Sequence, residues 1–225
     1  MDLPVIAIIP SAGTASRMGF DKLTTPLCGK SVIFRTLETF QALGFDKIII
    51  PVTPGRVEEF QKLLGSSAMV IEGGKCRARS VRNSVETLSG VENAIVVIHD
   101  CDRPFVKPEI ILETVEEAKK TGAAIAAAPC ASTVKEADAD GSISRTIPRE
   151  KLYFASTPQT FQLKILREAY AKLGSDEDWE SLTDEAMILE KAAFPVRICR
   201  DSEENFKLTT KKDWDFAAYQ LSKNA

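Results

Sequence analysis

Along this chain, short and uniformly apolar runs alternate with longer stretches in which apolar residues recur every three or four positions. Residues 5–9 (Val-Ile-Ala-Ile-Ile) are apolar throughout, as are residues 48–50, 69–71 and 94–98. Short β-branched runs without polar alternation suit strands covered on both faces, as in a parallel central sheet. Between them, Val32, Ile33, Leu37 and Phe40 mark one helical face, and Val81, Val85 and Leu88 mark another. Pro108 stands where a helix opens, Ile111, Val115 and Ala118 form its inward stripe, and Gly122 lies just past its end. Residues 123–129, mostly alanine, follow that helix and close on a proline, which predicts another strand.

The rhythm breaks at residue 132. Residues 132–156 are polar and β-branched around a turn at Asp138, Ala139, Asp140 and Gly141, and they predict a protruding β-arm outside the main sheet. Helical periodicity returns over residues 163–173 and 184–192, and residues 196–199 predict a further strand. A last helix begins near Thr210, where Thr210 and Asp213 match a capping box. The expected architecture is a three-layer α/β fold with a mostly parallel central sheet. Residues 1–225 are read as one domain, with 132–156 as its arm.

Composition narrows the partners. A formal net charge of −3 gives no footprint for nucleic acid or an anionic membrane surface, so an anionic substrate must be held by local Arg and Lys clusters. No apolar run is long enough to span a membrane, and residues 1–9 are too short for a signal peptide, so the expected location is the cytoplasm. The five cysteines are odd in number, scattered and without CxxC spacing, which reads as reduced thiols. With His99 the only histidine, a Cys/His metal centre is ruled out.

Three loops that follow predicted strands carry candidate chemistry. Residues 10–19 are small and lie after the first strand, with Arg17 and Lys22 adding two cations beside them. Such a loop can approach a nucleotide closely and offer backbone N–H groups to phosphate, although it has neither GxGxxG nor P-loop spacing. Residues 73–80 (Gly-Gly-Lys-Cys-Arg-Ala-Arg-Ser) read either as a cradle for an anion or base, or as a glycine turn capped into a helix. Residues 99–104 (His-Asp-Cys-Asp-Arg-Pro) put a carboxylate, Asp100, where an α/β protein holds Mg²⁺ against a nucleotide phosphate. Arg103 can pair with that carboxylate or reach a phosphate, and His99 reads as a hydrogen-bonded strand-end residue rather than a base. Thr133, Lys135 and Arg149 in the arm, Thr157-Pro158-Gln159, Thr183-Asp184 and Glu204-Asn205-Phe206-Lys207 are further polar clusters.

Taken in order, these motifs resemble the 2-C-methyl-D-erythritol 4-phosphate cytidylyltransferase family of the non-mevalonate isoprenoid pathway, from about Val5 to about Ala217. The pieces are Ala12-Gly13 with Arg17-Met18, Gly73-Gly74 with Arg77 and Ser80-Val81, His99-Asp100 with Arg103-Pro104, Thr157-Pro158-Gln159, Thr183 to Ala186, and Asn205 to Lys207 with Thr209. The resemblance implies a nucleotide-diphosphosugar-transferase-like sheet and a homodimer joined by arms. It implies transfer of CMP from CTP to the polyol phosphate, with pyrophosphate released. Arg17 and Lys22 would bind the CTP phosphates and stabilise the transition state. Ala12, Gly13, Gly74 and Ser80 would select cytosine, and Asp100 would hold Mg²⁺. Thr133 and Arg149 would contact the methylerythritol phosphate, Arg149 in the partner's site. Arg103, Thr157, Thr183 and Lys207 would complete the substrate and phosphate contacts. This chain departs from the family pattern at Ala15, at Asp21 and Leu23 beside Lys22, at Asp102, at Ser156 and at Glu204. A ribitol 5-phosphate cytidylyltransferase and a non-catalytic nucleotide-binding protein stay open as alternatives.

Overall fold

The computed structural model describes residues 3–12, 18–174 and 177–223. In chain order its elements begin with β1 (Val5–Ile8) and a small hairpin, β2 (Pro26–Leu27) and β3 (Lys30–Ser31). Next come α1 (Val32–Ala42), β4 (Lys47–Val52), α2 (Val57–Leu64), β5 (Met69–Glu72), α3 (Arg77–Glu86) and β6 (Ile95–Ile98). Then follow α4 (Pro108–Thr121), β7 (Ala123–Pro129), β8 (Val134–Ala137), β9 (Ile143–Ile147), a 3₁₀ turn at Arg149–Lys151 and β10 (Tyr153–Gln162). The chain ends with α5 (Leu163–Lys172), α6 (Glu185–Lys191), β11 (Arg197–Arg200) and α7 (Lys211–Lys223).

Seven strands form the central sheet in the order β11-β7-β10-β6-β1-β4-β5. The pairs β1–β4, β1–β6, β4–β5 and β7–β11 are parallel, whereas β10 runs antiparallel to both β6 and β7. The uniformly apolar runs are explained by this arrangement, because successive side chains enter opposite layers. Ala7, Val97 and Ile50 pack with Leu37 and Phe40 of α1, Phe60 of α2 and Val115 of α4. Ile6, Ile8, Val96 and Ile98 pack with Val81 of α3, Leu166 of α5 and Leu189 of α6 on the other side. The mostly parallel, three-layer reading therefore holds. Thr210 and Asp213 form the predicted capping box: Thr210 N–H donates to Asp213 Oδ2 at 2.7 Å and Asp213 N–H to Thr210 Oγ1 at 3.3 Å.

Residues 132–156 require one correction. β8 and β9 do make a separate antiparallel hairpin, almost wholly exposed. The final residues of the segment, however, belong to the central sheet, where Tyr153, Phe154 and Ala155 of β10 pair with Pro129, Ala128 and Ala127 of β7. Antiparallel pairing lets the chain return directly from the arm into the sheet without a crossover helix.

Candidate active site

The cleft lies at the carboxyl ends of β1 and β6, where an open α/β sheet binds ligands. Pro10, Ser11 and Ala12 form one wall, Arg77 and Ser80 of α3 a second, and Asp100, Cys101 and Asp102 the floor. Lys22 and Lys207 enter from segments far away in sequence.

Asp100 is the centre of charge. Its Oδ1 accepts from Arg77 Nε at 2.9 Å, its Oδ2 accepts from Lys207 Nζ at 2.9 Å, and Arg103 Nε stands 3.7 Å away. Burial alone would raise the Asp100 carboxyl, but Arg77, Lys207 and Arg103 together outweigh it and hold the group well below the usual carboxylate range. Arg77 also grips Glu185 at the start of α6, its Nη1 standing 3.0 Å and 2.9 Å from the two carboxylate oxygens. Glu185 is fully buried, so desolvation pushes its carboxyl up while Arg77 pulls the other way. Lys22 Nζ donates to Asp102 Oδ2 at 2.5 Å and to the Leu208 carbonyl at 2.7 Å, and Lys207 Nζ stands 3.7 Å from Asp102 Oδ1. The result is an alternating ladder of cations and anions: Lys22, Asp102, Lys207, Asp100, Arg77, Glu185.

The polar side chains of β10 hold this ladder from below. Asp100 N–H donates to Thr157 Oγ1 at 3.0 Å, and Thr157 Oγ1 lies 3.0 Å from His99 Nδ1. His99 Nε2 lies 3.0 Å from the Arg103 carbonyl, which can only accept, so Nε2 carries the proton and Nδ1 accepts from Thr157. Burial pushes the His99 pKa down to about 4 and keeps the ring neutral. His99 is thus the hydrogen-bonded strand-end residue that the sequence suggests. Gln159 caps α6: Oε1 accepts from Glu185 N–H and Ala186 N–H, each at 3.2 Å, and Nε2 donates to Asp184 Oδ2 at 2.8 Å. Asn205 Nδ2 donates to the Thr157 carbonyl at 2.7 Å, and Leu208 N–H donates to the Asp102 carbonyl at 2.8 Å, fixing the segment that carries Lys207.

The sequence-predicted residues other than Gly74 divide into four groups. Ala12, Lys22, Ser80, Asp100 and Lys207 line the cleft. Thr157 lies beneath it, and Arg103 stands beside Asp100 while donating to the Asn205 carbonyl at 2.8 Å. Thr133, Arg149 and Thr183 are exposed and do not line the cleft, and Arg149 Nη1 donates to the Ala131 carbonyl at 2.6 Å. Gly13 and Arg17 lie outside the described residues.

The Gly73-Gly74 turn needs a different physical account from an anion cradle. Gly73 N–H donates to the Val52 carbonyl at 2.7 Å and Gly74 N–H to Ser80 Oγ at 2.9 Å, so both amides are already used. A Cβ on Gly73 would lie 2.9 Å from Ala12 Cβ and from the Val52 carbonyl oxygen, and one on Gly74 would lie 2.3 Å from Arg79 Cβ. The glycines bring the two loops together by close approach. Ser80 is likewise committed, since its hydroxyl accepts from Gly74 and donates to the Cys76 carbonyl at 2.9 Å.

Glu185 and Gln159 carry the scaffold of the site; both lie inside motifs read from the sequence, but neither is given a role there. One signal was present: Glu185 precedes Leu189 by four residues on the apolar face of α6, an acid where an apolar residue is expected. Among the described residues no three His, Cys, Asp or Glu side chains converge as an all-protein metal cage. Mg²⁺ does not require one, because it is usually held by one or two carboxylates plus substrate phosphates and water. The ionised Asp100 in the cleft fits that donor chemistry, with Asp102 as its neighbour.

Residues 5–223 match the family model for 2-C-methyl-D-erythritol 4-phosphate cytidylyltransferase. The enzyme of that name from Dehalococcoides mccartyi strain CBDB1 is 35% identical over 96% of each chain. The one from Microcystis aeruginosa is 37% identical over 96% of this chain and 97% of its own. Among solved structures, 4-diphosphocytidyl-2C-methyl-D-erythritol synthase from Anaerococcus prevotii superposes with a TM-score of 0.85 at 27% identity, covering 98% of this chain and 99% of the other. The Francisella tularensis 2-C-methyl-D-erythritol 4-phosphate cytidylyltransferase gives a TM-score of 0.83 at 29% identity, over 97% of this chain and 100% of its own. These matches favour a methylerythritol acceptor over ribitol 5-phosphate, and an enzyme over a non-catalytic nucleotide binder. In sequence and in fold, the chain belongs to the 2-C-methyl-D-erythritol 4-phosphate cytidylyltransferase family.

Proposed function

We propose that the cleft transfers CMP from CTP to 2-C-methyl-D-erythritol 4-phosphate and releases pyrophosphate. The observation that carries this reading is the ladder on the cleft floor, where Lys22, Lys207 and Arg77 are held beside two carboxylates at the carboxyl ends of the strands. An oxygen of the acceptor phosphate attacks the α-phosphorus of CTP. The bond from that phosphorus to the bridging oxygen breaks, and its electron pair leaves with pyrophosphate. The nucleophile is already ionised, so no general base is needed, in keeping with a single, neutral, buried histidine. What remains is positioning and charge neutralisation. Lys22, Lys207 and, from sequence, Arg17 take the phosphates, with Arg77 and Arg103 holding Asp100 in place. Mg²⁺, when bound through Asp100, would neutralise triphosphate charge. Ala12 and the tightly packed turn at Gly73 support a close-fitting base pocket. Pyrophosphate release with CTP and methylerythritol phosphate should exceed release with ATP, GTP or ribitol phosphate. Comparable turnover with a purine triphosphate would sink the assignment.

The exposed arm supports a homodimer in which Thr133 and Arg149 complete the acceptor site of the second copy, since a lone hairpin is marginal in water. Ile143 and Phe154, 64% and 58% exposed, offer apolar surface for such packing. Mixing Arg17→Ala with Arg149→Ala chains should restore some activity after subunit exchange, because one site of each heterodimer then carries neither lesion. No recovery despite exchange means that Arg149 acts within its own chain or not at all. The five free cysteines support a reducing, cytoplasmic setting, and among the described residues no helix is long and apolar enough to cross a membrane.

A further inference from the structure

Asp102 has no role in the transfer as set out above, yet it is only 8% exposed and sits between two of the cations assigned to phosphate. A lysine ammonium has three N–H donors. Lys22 gives one to Asp102 Oδ2 and one to the Leu208 carbonyl, so two donors are fixed and the third remains for a phosphate oxygen. The side chains of Lys22 and Asp102 are 15% and 12% exposed, which shields the pair from the screening that weakens surface ion pairs. Asp102 is fixed in turn, because its carbonyl accepts from Leu208 N–H at 2.8 Å. The segment 207–208 and the loop 100–102 therefore clasp Lys22 from two sides.

We infer that Asp102 is a positioning residue for the reaction: its carboxylate fixes Lys22 in the cleft wall and spaces it from Lys207. The inference rests on the reading of Lys22 as a phosphate-binding cation. Lysine carries much rotamer entropy, and a cation held in place before the reaction loses none at the transition state. The same negative charge opposes the triphosphate in the ground state. Asp102 therefore raises turnover without raising nucleotide affinity, and that split distinguishes it from a merely structural residue.

Asp102→Ala should lower kcat about 10- to 100-fold, the scale of a catalytic group displaced by about 1 Å, while KM for CTP stays unchanged or falls. Asp102→Asn, which keeps the shape and one acceptor for Lys22, should lie between wild type and Ala. In a Lys22→Ala background, Asp102→Ala should cause no further loss, because the residue works through Lys22. An unchanged kcat, or a raised KM at constant kcat, would overturn the inference, as would a defect in Asp102→Ala cured by added Mg²⁺. A large loss in Lys22→Ala that Asp102→Ala deepens by its full single-variant factor overturns this inference alone. Full activity in Lys22→Ala overturns the reading of the cleft and this inference with it.

Discussion

The cleft floor and the arm draw on the same kinds of side chain and use them differently. In the arm, Arg145 pairs with Glu136 across the β8–β9 hairpin, with the two side chains 68% and 50% exposed. In the cleft, Arg77 pairs with Glu185, whose side chain has no exposure, and with Asp100 at 10%. Exposed pairs are screened and typically contribute about 0–1 kcal/mol. Buried charges lose hydration, so they persist only where each has a partner, and the set behaves as one unit. The arm's charges keep an exposed hairpin soluble and discourage stray edge pairing. Those of the cleft fix positions, which is what a reaction run by orientation and charge requires.

Removing one member of the buried set should give the largest difference between the two regions. Glu185→Gln breaks the bidentate contact to Arg77 and should lower the unfolding free energy by about 3–5 kcal/mol, read from urea denaturation. A loss below about 1 kcal/mol would put the cleft pair in the same class as the arm pair.

Acid tests the same burial by another route. The folded-state pKa of His99 is depressed to about 4 from an ordinary value of 6.5, so the unfolded chain binds the proton first. Stability is then fully present above pH 6.5 and is lost as the pH falls towards 4, by about 3 kcal/mol. Asp100, also depressed, adds a loss of the same sign only in stronger acid, below its ordinary 3.8, while Glu185, raised by burial, works in the opposite sense. With one histidine in the chain, its ring signals in NMR are unambiguous, and they should not titrate above pH 5. A midpoint near 6.5 would mean that the site under Asp100 is open to water.

The smallest effect belongs to the arm. Glu136→Ala should change stability by less than about 1 kcal/mol at low protein concentration. A larger cost that grows with concentration would mean that the arm is packed against a second copy.

How much of this could be read from the chain differs between the layers and the site. The runs that became β1, β4 and β6 are legible because both faces of each strand are covered, the stripes of α1 and α4 because one face is, and β5, at the sheet edge with Met69 exposed, by its apolar run alone. β10 was not legible. Its residues include Ser156, Thr157, Pro158, Gln159 and Thr160, a composition that reads as a loop. Their burial is possible because Asp201, His99, Asp184 and Thr114 reach them from elsewhere. Satisfaction by distant partners leaves no local pattern. Lys22, Asp100 and Lys207, which line the cleft, are singled out in the sequence by motif and topology. The use of Gly73 and Gly74 as close-packing residues depends on Ala12, Val52 and Arg79, which no spacing rule connects to them.

The ladder joins residues that are remote along the chain: Lys22 to Asp102 spans 80 positions, Arg77 to Glu185 spans 108, and Asp100 to Lys207 spans 107, while the Leu208 carbonyl that clasps Lys22 lies 186 positions from it. Closing such distances costs chain entropy before any contact rewards it, so structures of this kind form slowly and late. During synthesis the first hundred residues can supply β1, β4, β5 and β6, but Asp100 then lacks Lys207 and Arg77 lacks Glu185. Substrate-binding capacity is therefore a property of the finished chain. It should appear in one step after residue 208 has left the ribosome, not build up strand by strand.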